Sequence, residues 1–339
     1  MPSKKNEKNY RLIYAMLVIC LLSLMFLSLF MGRYAVPPKA VVSILLDKIL
    51  GITADCTAAT VVWNIRMPRV LLCVMVGAGL SVAGASFQGI FQNPLVSPDI
   101  LGVSAGAGFG AALGILLTSG GTGITTVLAF GFGLLSVLCA YTISKIKKMS
   151  SPVSLVLAGL IVGFFFNALI SLVKLVADTD SQLPAITYWL MGSFANTTFA
   201  ELAVVGPLIG GATVTLLLLR WRMNILSMGD EEAFSLGIHP RRLRFCIIAL
   251  ATVVTAASVM VSGIIGWVGL IIPNVCRMVV GADHKHLLPA AFFMGGIFLI
   301  IIDFIARVAT VAEIPIGILT AIAGVPLFIY VYRYSGWGS

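Results

Sequence analysis

Charge is scarce in this chain: 10% of its 339 residues are Asp, Glu, Lys or Arg, while 59% are hydrophobic. A mean hydropathy of +1.06 excludes a water-soluble globular domain. Acidic residues number only 13, and those within apolar runs are too few for a proton or sodium relay. Histidine is nearly absent, with His239, His284 and His286 all in predicted loops. The six cysteines (Cys20, Cys56, Cys73, Cys139, Cys246, Cys276) are scattered without a C-x-x-C spacing, so neither a disulfide framework nor a zinc site is indicated. A Walker A Gly-Lys-Ser/Thr loop is missing, which leaves any use of ATP to another chain.

What the chain has in quantity is apolar runs of about 20 residues, long enough to cross a hydrocarbon core of roughly 30 Å as helices. They lack the period-2 alternation of a membrane barrel, and helices satisfy their own backbone hydrogen bonds in lipid. The expected fold class is therefore all-α, a polytopic membrane protein forming one transmembrane domain over residues 1–339. Spans are expected near 12–32, 69–89, 99–118, 122–144, 153–177, 199–219, 243–263, 267–280, 288–309 and 316–333, the eighth too short to cross fully. The first run follows the basic "KKNEKNYR"; it exceeds a signal-peptide core and lacks a small-x-small cleavage site, so it reads as a retained span.

An even number of spans puts both termini on one side. With that side inside, Lys4, Lys5, Lys8 and Arg11, Lys145, Lys147 and Lys148, Arg220 and Arg222, Arg241, Arg242 and Arg244, and Arg277, Lys285 and Arg333 fall inside, leaving Arg33, Lys39, Lys48, Arg66, Arg69, Lys174 and Arg307 outside. The bias favours both termini in the cytoplasm. The formal charge of +9 thus reflects topology and calls for no nucleic acid.

Several motifs invite chemistry. "GVSAG", Gly102 to Gly106, matches the G-x-S-x-G pattern of serine hydrolases, but no strand precedes it and the three histidines that could activate Ser104 lie in predicted cytoplasmic loops; close helix packing through small residues explains the glycines better. "GADHKHLLP", Gly281 to Pro289, spaces Asp283, His284 and His286 as a metal could use, yet offers no fourth ligand and fits a polar helix start. Asp303 and Arg307 lie one helical turn apart in "IIDFIARV", either a functional pair or a self-neutralising one. In "NIRMPRV", Arg66 and Arg69 sit at the outer mouth of the second span, where they either snorkel or, with Arg307, form a basic patch for an acidic soluble partner. The inner loop "MGDEEAFSLGIHPRRLR" opens a helical turn with Asp230, Glu231 and Glu232 and then presents Ala233, Phe234 and Leu236 to Ile238, a short surface helix with an exposed apolar face rather than a plain connector. In "FQNPLVSPDILG", Pro94 and Pro98 stop helix propagation between the second and third spans.

Read together, "IRMPRVLLCVMVGAGLSVAGASFQGIFQNPLVSPDILGVSAGAGFGA", "MGDEEAFSLGI", "GWVGLIIPNVCRMVVGADHKHLLPAAF", "DFIARV" and "EIPIGILTAIAGVPLFIY" resemble, in order and from about Arg66 to Tyr330, the FecCD-type permeases of type II ABC importers for iron chelates, haem and cobalamin. The resemblance implies that Arg66, Arg69 and Arg307 receive carboxylates of an extracytoplasmic binding protein. It implies that Gly229, Asp230, Glu231, Glu232, Ala233, Phe234, Leu236 and Gly237 form a coupling helix seated on an ATPase subunit. Asn93, Pro94 and Leu95, with Ser151, Pro152 and Val153, would form the inner gate. Two departures stand out: Asn274 follows Pro273 where the family commonly has histidine, and Trp267 stands where phenylalanine is common.

The function so implied is that of a transport subunit and not an enzyme: two copies form a pore walled by the fifth and tenth spans, two cytoplasmic ATPases hold ATP and magnesium, and this chain binds no cofactor. The expected cargo is a ferric siderophore, with haem, cobalamin and a small oxyanion as other family cargoes. The alternatives are an ion-gradient-driven secondary transporter or channel and, more remotely, an intramembrane serine hydrolase.

Overall fold

The structure is a computed structural model that describes residues 4–32, 34–51, 56–118, 122–145 and 152–334. Among these residues it contains helices and no strands. The long helices are α1 (Lys4–Phe30), α3 (Thr57–Phe91), α5 (Thr122–Lys145), α6 (Pro152–Val176), α8 (Phe199–Leu218), α11 (Pro240–Ser262), α13 (His284–Val308) and α14 (Ile316–Tyr334). Eight helices among the described residues are long and apolar enough to cross a membrane, and two shorter apolar ones, α4 (Val103–Thr118) and α12 (Val268–Val280), complete the ten expected spans. Between them lie α2 (Pro38–Ile49), α7 (Gln182–Met191), α9 (Arg220–Leu226) and α10 (Asp230–Ser235).

α3 is the hub, packed against α8, α11, α12 and α13. Small residues on it let its neighbours approach closely. A Cβ on Gly77 would come within 2.3 Å of the Gly295 carbonyl oxygen of α13, and one on Gly84 within 1.9 Å of the Gly269 carbonyl oxygen of α12. With no hydrophobic drive between helices in lipid, such backbone proximity is what holds membrane helices together. The same logic governs α4 and α5: Gly106, Gly110 and Gly114 recur every fourth residue along α4 and face Phe132, Leu128 and Thr125 of α5. The glycines of "GVSAGAGFG" thus serve packing, as expected.

Two span starts differ from the sequence expectation for a reason visible in the backbone. The second span begins at Thr57 rather than near residue 69, because the chain winds as a π-helix over Thr60–Arg66; the wide turn, with the Met67 N–H bonding Val62 O, leads into Pro68, which has no N–H to place. The third span begins at Val103 rather than 99. Pro98–Leu101 form a 3-10 turn, and Gly102 in a left-handed conformation (φ 80°) starts α4. Between the first two spans the chain folds α2, whose Val41 and Ile44 are buried.

The eighth span is half helix, as its length suggested. Gly263 to Trp267 run without helical structure and α12 takes over at Val268. Short bonds tie this region: Ser193 N–H to Ser262 O (2.8 Å) and Ile316 N–H to Gly192 O (2.9 Å). Irregular backbone at membrane depth is tolerable only where protein covers it in this way. α7, unforeseen as an element, contributes to that cover with Ile186 fully buried.

Candidate docking and gating site

Helix alternation places the end of α3, the start of α4, the end of α5 and the start of α6 at one end of the bundle, the inner end by the charge bias. The outer end carries the three arginines singled out by sequence. The structure brings them together but not as an exposed patch: Arg66, Arg69 and Arg307 are 6%, 5% and 7% exposed.

Each has inward partners. Arg66 donates from Nη1 to Leu29 O (2.7 Å) and from Nη2 to Tyr34 O (2.6 Å), capping the carbonyl end of α1. Arg69 donates from Nε to Asp303 Oδ1 (2.9 Å) and grips Glu313 through both terminal nitrogens at 3.1 and 2.8 Å. Arg307 bonds Ser28 Oγ, and its Nε lies 3.0 Å from Asp303 Oδ2, an ion-pair distance without hydrogen-bond alignment. Buried guanidiniums need compensating partners: Asp303 and Glu313 supply carboxylates to Arg69 and Arg307, and backbone carbonyls take up Arg66. Asp303 and Arg307 do pair, and Asp303 is shared with Arg69. Glu313, whose side chain is 27% exposed, is the member nearest solvent and was missed by sequence reasoning.

At the inner end α10 forms where the acidic run begins. Ala233 is buried, whereas Phe234 and Leu236 are 64% and 58% exposed, so the apolar surface face is present. The helix ends in a Schellman arrangement, with Gly237 left-handed (φ 77°), its N–H bonding Phe234 O and Ile238 N–H bonding Ala233 O. At the other end a Cβ on Gly229 would lie 2.4 Å from Glu232 Oε2. A bidentate pair, Arg244 to Asp230 at 2.9 and 2.6 Å, pins α10 to α11. Hydrogen bonds from Arg244 hold the Asp230 carboxyl below the usual carboxylate range. Glu231, Phe234, Ser235, His239, Arg241 and Arg242 line, with Asp230 and Pro240, an open cavity of about 620 Å³ beside the helix.

The turn expected to form part of the inner gate follows α3. Gln92 ends that helix in a left-handed conformation (φ 48°). Asn93 Oδ1 accepts the Leu95 N–H at 2.9 Å, and Pro94 O accepts from Asn274 Nδ2 at 3.0 Å. Asn274 also donates to Leu270 O (2.8 Å), while Arg277 donates to Asn274 Oδ1 and to Gln88 Oε1. The residue that departs from the family pattern is thus a direct holder of the gate turn. Leu95 and Val153 are both exposed; Ser151 lies outside the described residues, as does the side chain of Pro152.

The rival motifs resolve differently. Ser104 donates to Asp99 rather than to an imidazole, so the nucleophile–base contact of a hydrolase is not made. Asp283, His284 and His286 are taken up in contacts within the fold. Asp283 caps α13 by accepting the Lys285 N–H at 2.8 Å, His284 meets Asn224, and His286 stacks on Tyr10 at 4.0 Å and meets the Tyr14 hydroxyl.

Among the described residues, eight span-length apolar helices, two shorter ones and close small-residue packing define a multi-pass membrane protein. The chain belongs to the FecCD transport family, which matches residues 19–334. It is 40% identical over 314 residues to the molybdate import system permease protein MolB of Haemophilus influenzae, covering 92% of this chain and 93% of that one. It is 38% identical to the cobalamin import system permease protein BtuC of Halobacterium salinarum, over 82% of this chain and 74% of that one. Among solved structures, a metal-chelate type ABC transporter in an inward-facing conformation superposes with a TM-score of 0.85 at 36% identity, covering 95% of this chain and 98% of that one. The chain is accordingly the permease subunit of an ABC importer, a transport subunit rather than an enzyme.

Proposed function

We propose that two copies of this chain form a pore that passes a metal chelate, a ferric siderophore in the first instance, from an extracytoplasmic binding protein into the cytoplasm. The observation that carries the reading is α10, a surface helix with Phe234 and Leu236 open to solvent beside a cavity rimmed by Asp230, Glu231, Arg241 and Arg242. Such a surface fits one of two ATPase subunits, which hold ATP and magnesium. ATP-driven closure of those subunits pushes α10 and shifts the helices as rigid bodies. α6 and α14 leave apolar faces open in the single chain, Phe164 at 72% and Ile322 at 65% exposure, as pore walls and subunit contacts require. Asn93 to Leu95 and residues 151 to 153 form the inner gate.

The binding protein docks at the outer end. Since Arg66, Arg69 and Arg307 are already paired, an incoming carboxylate competes with Glu313 for Arg69. Haem and cobalamin are alternative chelates, and the 40% identity to a molybdate permease favours a small oxyanion as the second reading. Identifying the ligand that copurifies with the cognate binding protein separates these cargoes. Reconstitution with and without the ATPase tests the class: uptake driven by an ion gradient alone would sink it.

A further inference from the structure

One side chain outside the proposed docking surface gathers three hydrogen bonds between two elements. Asn224 of α9 donates from Nδ2 to Asp283 Oδ1 at 2.6 Å, and its Oδ1 accepts the His284 N–H at 2.9 Å and meets His284 Nδ1 at 2.8 Å. Only this orientation of the amide satisfies a carboxylate on one side and an N–H on the other. Because the amide oxygen only accepts, Nδ1 carries the imidazole proton. His284 Nε2 is then a bare acceptor, buried without a partner and lodged against α3, where a Cβ on Gly89 would come within 2.2 Å of it.

α9 is itself firmly seated, with Met223, Ile225 and Leu226 buried. Its last carbonyls are also engaged. Ser227 Oγ donates to Asn224 O at 2.7 Å, and Ser227 O accepts from Gln92 Nε2 at 3.2 Å. Gln92 is the residue at which α3 ends and the gate turn begins, and α10 starts three residues beyond Ser227 at Asp230. A short plug anchored by apolar side chains and by directional bonds to two other helices moves with them as one body.

We infer that Asn224 is the positioning residue through which a displacement of α10 reaches the inner ends of α13 and α3, and so the gate turn. This rests on the reading of α10 as the helix that meets the ATPase. An apolar contact would slide under load, whereas the Asn224 amide fixes both distance and direction to Asp283 and His284.

The test uses the full complex of this chain, its ATPase subunits and its binding protein in proteoliposomes, offered radiolabelled ferric siderophore, haem, cobalamin and molybdate. Asn224→Leu keeps the bulk and removes donor and acceptor. The complex is expected to assemble and hydrolyse ATP at the wild-type rate while uptake per ATP falls about tenfold. Asn224→Asp sets a carboxylate against Asp283 and should show the same loss; adding Asp283→Asn restores one donor and one carboxylate, and uptake should return towards wild type. Unchanged uptake per ATP in Asn224→Leu overturns the inference and leaves the importer reading standing. Parallel loss of hydrolysis, uptake and thermal stability, with no rescue by the double variant, shows a structural tether only and overturns it equally. Absence of ATP-dependent uptake by the wild-type complex removes the importer reading instead.

Discussion

The two ends of the bundle are tied by different chemistry. At the outer end Arg69, Arg307, Asp303 and Glu313 form a largely buried ion cluster, and Arg66 is closed onto backbone carbonyls. At the inner end Asn224, Asn274, Gln88 and Gln92 work through hydrogen bonds to carbonyl, imidazole and, at Asp283, carboxylate groups, and the partners of Arg277 are neutral amides. Parting a buried ion pair strands a charge at a cost of about 3–5 kcal/mol, whereas an ordinary hydrogen bond contributes only about 0.5–1.5 kcal/mol net. The outer helix ends are therefore tied more firmly to one another within the chain than the inner ends, whose bonds can exchange partners when pushed.

The largest expected effect lies in the cluster. Asp303→Ala leaves two buried guanidiniums short of a carboxylate and should cost about 3–5 kcal/mol, read as a lower thermal midpoint in detergent; an unchanged midpoint would show that the outer end is not held by charge. At the inner end Asn274→Leu removes the donors to Pro94 O and Leu270 O and should cost about 1–3 kcal/mol. It should also speed thiol labelling of a cysteine placed at Leu95, and unaltered labelling would free the gate turn from Asn274. Glu313→Gln weakens the internal competitor for Arg69 and should raise affinity for the binding protein several-fold; equal or lower affinity would place docking elsewhere.

The smallest effect belongs to the exposed pair Asp230–Arg244, worth about 0–1 kcal/mol. Its folded carboxyl pKa is depressed, so the pair's contribution is complete above the unfolded value of about 3.9 and is lost as pH falls through the lower folded value. Stability of the Arg244→Ala variant relative to wild type should accordingly be constant from pH 7 to about pH 5 and converge in stronger acid. A difference that changes near neutrality would assign the titration to another group.

Much of this was legible in the sequence where the cause is local. Apolar runs and Gly/Pro punctuation located ten spans and the short eighth, and the acidic run before Phe234 located α10. What escaped depends on distant partners. Arg69 meets Asp303 and Glu313 across 234 and 244 residues, so a sequence reading sees three outer arginines but not their neutralisation. "GADHKH" reads correctly as a helix start, yet Asn224 lies 59 residues before Asp283, and a single asparagine beside basic residues carries no signal of its own. α7 and the π-wound extension of α3 were missed because their length and composition resemble loop and span flanks respectively.

The contrast between the two ends can be measured directly by spin-label distances in the reconstituted complex, with one pair at the exposed inner positions Val153 and Leu236 and another at the exposed outer positions Leu50 and Val311. On adding ATP the inner distance should change while the outer distance stays fixed. A shift confined to the outer pair, with the inner pair still, would contradict the account.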